Sequence, residues 1–233
     1  MEDRRHQARA ADGGADPGQI KSRERVRDLA EVYTHEREVK AMLDLVPGMF
    51  PNAEDPGNTD RLFLEPACGH GNFVVEILRR KLAYVTPRRY GRGERFEHRM
   101  LRCLASIYGI DISDDNVRET RGRMRMLIAE HLERHLGADE PTGGFSDAAT
   151  AILETNILRA DMLSEAAEIE LVEYRPGSAG TFIRKWSCPL SPAANEPNLF
   201  SLEVRCDNVP VHYSELARQT EPLLAASLGR AAA

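Results

Sequence analysis

Three short apolar runs, at residues 62–65, 105–110 and 156–158, each lead into an acid and a turn: Glu65, Asp111 and Asp161. Stretches with apolar residues at helical spacing lie between them. Phe73, Ile77, Leu78 and Leu82 form one stripe from Asn72 to about residue 85, and residues 114–136 read as a long amphipathic helix. Strand, helix, strand, helix, strand predicts a parallel sheet with crossover helices, an α/β fold. Open parallel sheets take their ligands beyond the carboxyl ends of the strands. The three acids therefore mark one candidate site rather than three.

The first of these turns reads FLEPACGHGNF, residues 63–73. Gly69 and Gly71 let backbone approach a ligand closely, and a helix starting at Asn72 presents free N–H groups. Neither GxGxxG nor GxxxxGK(S/T) is present, and the turn carries an acid where a phosphate loop carries lysine. A cationic or hydroxyl-rich ligand suits it better than a polyphosphate. S-adenosylmethionine has this chemistry, with a sulfonium and an ammonium for an acidic rim and ribose hydroxyls for a carboxylate. The plainer alternative makes Glu65 and Asp111 loop or capping acids, and Asp161 a cap for the residues after it.

These residues also carry a resemblance. Glu65, Pro66, Ala67, Cys68, Gly69, His70, Gly71, Asn72 and Phe73 resemble the (D/E)PACGxGxF motif of the adenine-specific amino DNA methyltransferases. Asp111 in YGIDIS is similar to that family's ribose-binding acid, with Ile112 beside it. Asp161 in NILRADML, with Met162, is similar to the acid that meets the cofactor adenine. Tyr33 and Thr34 resemble the F/Y-Y-T-P segment at the methionine end, with His35 where proline is usual. The resemblance covers about residues 24–165 and follows the order found in modification subunits of restriction–modification systems. It implies a Rossmann-like class I fold that uses S-adenosylmethionine to methylate adenine N6 in DNA.

The family also carries (N/D/S)PP(Y/F/W) after its fourth strand. An adenine amino lone pair is delocalised into the ring. The polar residue and a backbone carbonyl accept the amino hydrogens, and the aromatic stacks on the flipped base. This chain has no such tetrapeptide. Ser187-Cys188-Pro189-Leu190 is the nearest segment, so Ser187 and Pro189 are the catalytic candidates, against an ordinary turn after an edge strand. A catalytically silent cofactor-binding subunit and a methyltransferase with a non-DNA acceptor stay open as alternatives. The chain also lacks an evident target-recognition domain, so DNA sequence choice is expected from a separate specificity or partner subunit.

The formal net charge is −6, which excludes a global basic field. Contact with DNA phosphates then falls to a local patch, and TPRRYGRGER at 86–95 supplies one, unless it is simply a solvated loop. No run of about 18 apolar residues suggests a membrane span. The charged start of the chain does not resemble a secretory signal. Cys68, Cys103, Cys188 and Cys206 lie far apart without a CxxC pair, which points to a reducing cytoplasm and away from zinc. His131 and His135 lack a third ligand and read as a solvated helical face, so no metal is expected.

The expected organisation is a disordered lead-in over 1–22, then N-terminal helices and a loop over 23–60. A methyltransferase core over 61–190 and an irregular tail with a short helix over 191–233 follow. PTGGFSDAA is expected to be a loop, 168–173 a fourth strand and 181–186 another.

Overall fold

The computed structural model describes residues 34–137, 139–178, 180–191 and 205–223. The chain divides into an N-terminal unit, residues 1–35, and a larger unit, residues 36–233. In the first only Thr34 and His35 are described. The expected lead-in, the first N-terminal helix and Tyr33 lie outside the described residues, as does the end of the tail.

The larger unit contains helix α1 (Glu36–Leu43), strand β1 (Phe63–Glu65), α2 (Asn72–Leu82) and the short α3 (Pro87–Tyr90). They are followed by α4 (Glu94–Ala105), β2 (Ile107–Asp111), α5 (Asp114–Leu136), α6 (Phe145–Asn156) and β3 (Ile157–Arg159). Strands β4 (Leu171–Pro176), β5 (Thr181–Ser187) and β6 (Val211–His212) complete it.

β1, β2 and β3 form a parallel sheet in that order, with Phe63 opposite Ile107 and Gly109 opposite Ile157. Alternation along β2 divides the core into two faces. Ile107 belongs to the helix-covered face with Val74, Leu78, Phe96, Met100, Phe145 and Ile152. Tyr108 and Ile110 belong to the other, where Ile169 and Leu171 cover them. Burying a side chain such as Leu78 or Ile107 contributes about 2 kcal/mol. The cover on the second face stops short of β1, and Leu62 and Leu64 remain 56% and 41% exposed. Parallel sheets are ordinarily covered on both faces, so this corner of the sheet is open among the described residues.

Local sequence explains the helices. Ser113 caps α5, its hydroxyl accepting the Asn116 N–H at 3.5 Å, while Asp114 and Asp115 offset the positive end of the helix dipole. Arg79, Arg80 and Lys81 sit in the last turn of α2, where the dipole favours cations.

The structure corrects several expectations. FSDAA is not loop but the start of α6. Gly144, at φ +86°, turns the chain, and Phe145, Ala148, Ala149, Ile152 and Leu153 follow as a buried helical stripe. The basic loop is partly helical, because α3 and the first turn of α4 occupy it. His131 does not lie on a solvated face: it is 3% exposed, and its Nε2 meets the Val85 carbonyl at 2.8 Å.

The fourth strand does not extend the parallel sheet. β4 pairs antiparallel with β5, and β5 with β6, in a separate three-stranded sheet. Part of the expected tail thus has regular structure. An internal ion pair fixes it: the Arg184 guanidinium meets the Asp207 carboxylate at 2.8 Å, with side chains 3% and 0% exposed. Arg184 also donates to the carbonyls of Gln219 and Glu221, clasping residues 205–223 onto β5. Among the described residues no helix is long and apolar enough to cross a membrane.

Candidate functional site

The parallel register sets Glu65 beside Gly109 and Asp111 beside Arg159, so the acids of β1 and β2 emerge at the same edge of the sheet. After Glu65 the chain cannot continue as strand. Pro66 and Ala67 form an exposed turn, with the Ala67 N–H donating to Glu65 Oε1 at 3.3 Å. Cys68 then turns back under the sheet, its N–H donating to the Ile110 carbonyl at 2.9 Å. Gly69 and Gly71 adopt φ values of +53° and +91°. At Gly71 the glycine is needed twice over, since a Cβ would also meet Thr120 at 2.8 Å.

Asp111 ties β2 to this turn. Its Oδ2 accepts the Gly69 N–H at 2.8 Å. Its Oδ1 accepts the Ser113 N–H at 2.9 Å and the Asn116 side-chain amide at 3.1 Å. A carboxylate offers roughly four acceptor positions, so Oδ2 keeps capacity for one more donor. From α5, the Thr120 hydroxyl donates to the Gly69 carbonyl at 3.0 Å. Arg123 donates to the His70 carbonyl at 2.6 Å and to Asn72 Oδ1 at 2.8 Å.

The first-turn residues named from sequence are thus brought together with Asp111. Phe73 is half-buried against the core. Ile112 follows Asp111 at the same edge and is 44% exposed, an apolar surface beside a polar one.

Asp161 is used differently. Its carboxylate accepts from the Ser164 hydroxyl at 2.7 Å and the Leu163 N–H at 2.9 Å, closing a turn. Those two donors, Ser164 first, hold its carboxyl below the ordinary carboxylate range. Met162 packs with the Tyr108–Leu171 cluster. Thr34 belongs to the separate N-terminal unit.

Ser187 ends β5 opposite Leu171, and the Cys188 thiol lies 3.8 Å from the Glu168 carbonyl. Ser187 and Pro189 therefore follow a strand of the antiparallel sheet, not one flanking β1. Among the described residues no hydrogen bond links them to the glycine turn.

The electrostatics of the turn are acidic. Burial first, and then the charges of Asp111 and Glu65, push the Cys68 thiol up to about 12. Cys68 is a packing residue against Gly109, where a Cβ would meet its Sγ at 3.2 Å.

Asn116, Thr120 and Arg123 escaped the sequence reading. Their signal was present: they recur at helical spacing on α5, where Asn116 and Thr120 are buried although polar. Comparison with known proteins found no matching family model, no matching curated protein and no matching solved structure.

Proposed function

We propose that this chain carries the methyl-donor domain of an S-adenosylmethionine-dependent DNA adenine-N6 methyltransferase of the restriction–modification type. The hydrogen bond from Gly69 N–H to Asp111 Oδ2, at 2.8 Å, carries the reading. It joins the backbone turn that approaches a ligand to the acid that receives hydroxyls, both at the carboxyl ends of parallel strands.

The residues fit the group. Asp111 would accept a ribose hydroxyl at its remaining Oδ2 position, and Ile112 would offer apolar cover to the adenine. The Gly69–Gly71 turn leaves room for the amino-acid end, and Glu65 and Asp111 make the rim negative for its cationic groups. S-adenosylmethionine, when bound, supplies a methyl group on a sulfonium. The protein's share is to fix its orientation, because alignment of donor and acceptor supplies much of the rate. DNA is the proposed acceptor, with sequence choice supplied by a specificity or partner subunit, in the cytoplasm of the cell.

One observation favours a second reading, a cofactor-binding subunit silent on its own. Ser187 and Pro189 end an antiparallel strand beside Glu168 rather than a strand next to β1. In that reading the groups that hold the adenine amine come from another polypeptide.

Transfer of tritiated methyl from S-adenosylmethionine into adenine-containing duplex DNA separates the two. Formation of N6-methyladenine by the purified chain supports the first. Donor binding without transfer supports the second, and the absence of both refutes each. Unchanged transfer in Ser187→Ala and Pro189→Ala removes those residues from the catalytic role.

A further inference from the structure

A second cleft lies at the opposite edge of the parallel sheet. It has a volume of about 480 Å³ and is lined by Tyr90, Glu94, Arg95, His98, Arg99 and Arg102. Arg99 and Arg102 both reach Asp60, which precedes β1, so the cleft belongs to the amino ends of the strands. The five residues of β2 put roughly 16 Å between that edge and the glycine turn.

The cleft has an excess of guanidinium groups. Asp60 is shared by Arg99 and Arg102, and Glu94 is engaged by His212 at 3.0 Å. Arg95 is exposed and forms no ion pair among the described residues. Tyr90 supports Arg99, whose guanidinium carbon stands 4.6 Å from the ring centroid. The second observation is His98. The residue is 8% exposed, yet its Nε2 is buried with no hydrogen-bond partner among the described residues. Burial, then the charge of Arg102, pushes this imidazole down to about 4. The charge of Arg99 acts in the same direction and that of Asp60 against it, so the net field is positive.

We propose that this cleft binds phosphate groups presented by a nucleic-acid backbone. Guanidinium forks match phosphate oxygens in charge and geometry. The exposed Arg88 and Arg89 extend the charge beyond the cleft, whereas Arg92 is paired with Asp139 at 3.5 Å; an extended polyanion requires such an extension and a small phosphate does not. The inference rests on the nucleic-acid acceptor of the reading above, but not on its methyl donor. It places one nucleic-acid contact away from the glycine turn, as a tether rather than as part of the base-holding apparatus.

Fluorescence anisotropy of a labelled DNA duplex, titrated with the full chain over a range of salt, tests it. Arg95→Ala is expected to weaken binding about tenfold at low salt and to lower the log–log salt slope by about one. Arg95→Lys, which keeps the charge, retains most of the affinity. Arg218→Ala, on an exposed turn outside the cleft lining, leaves it unchanged. Calorimetry with S-adenosylmethionine is unaffected in all three variants, so failure here is distinguishable from failure of the donor site. Pyrophosphate binding that is lost in Arg95→Ala, without duplex binding, assigns the phosphate site to a small ligand and overturns the backbone source. Equal duplex affinity and equal salt slope in wild type and Arg95→Ala overturn the site itself.

Discussion

Asp111 Oδ2 accepts the Gly69 N–H at 2.8 Å across a sequence separation of 42 residues. The contact closes the carboxyl edge of the sheet, because the turn after β1 cannot move without disturbing the end of β2. Asp111 is therefore a scaffold for the turn and, in the function proposed above, also the acid that meets the ligand. Its neighbours on α5 share the first task, and they provide a way to separate the two.

Thr120→Val keeps the shape of the side chain and removes the hydroxyl that donates to the Gly69 carbonyl at 3.0 Å. The expected cost is about 1 kcal/mol of stability. A looser turn should also bind S-adenosylmethionine more weakly, read by calorimetry beside urea denaturation. Stability and affinity both equal to wild type would show that α5 does not hold the turn.

Gly71→Ala forces a left-handed residue to carry a Cβ that would lie 2.8 Å from Thr120. Left-handed backbone and overpacking together predict a loss of about 3 kcal/mol. Gly69→Ala, with open space around its Cβ, should lose less. Chemical denaturation midpoints of the two variants check the order.

Lys81 is buried under β1, with its Nζ donating to the carbonyls of Thr59 at 3.1 Å and Arg61 at 2.5 Å. Burial pulls its pKa from 10.5 down to about 8, against the opposing influence of Cys103 and Asp60. Between those pH values the unfolded chain holds the proton and the folded chain releases it, so stability rises with pH across the window. A displacement of that size corresponds to about 3 kcal/mol. Urea denaturation at pH 8 and pH 10.5 should show wild type gaining on Lys81→Met as pH rises. Parallel behaviour of the two proteins would contradict the assignment.

Asp207→Asn leaves the buried Arg184 guanidinium without its counter-charge. Breaking one side of a buried pair costs about 3–5 kcal/mol. The loss should appear as a lower thermal midpoint, with residues 205–223 becoming accessible to protease. A midpoint shift below about 2 °C would show that the pair contributes little.

What the sequence made legible follows from range. The β1–α2 turn could be read because glycines, acid and apolar stripe sit within a few residues. The parallel pairing of β1, β2 and β3 follows from the strand–helix alternation, but their order in the sheet does not. Helix α6 was hidden because Gly143 and Gly144 imitate a loop, and its buried face uses Ala148 and Ala149, too small to stand out as core. β5 showed its alternation, but Arg184 on its buried side makes sense only through Asp207, 23 residues away. The pairing of β4 with β5 rather than with the parallel sheet depends on such contacts, and no local pattern encodes it. The role of Asp111 was half visible: its place at a strand end was legible, its bond to Gly69 was not.

Isothermal titration of S-adenosylmethionine into the full chain, beside Asp111→Asn, tests the donor pocket most directly. The expected result is one-to-one binding by wild type. In the variant, affinity should fall about tenfold or more while circular dichroism stays unchanged. No heat of binding in the folded wild-type chain, or equal affinity in Asp111→Asn, would contradict the pocket.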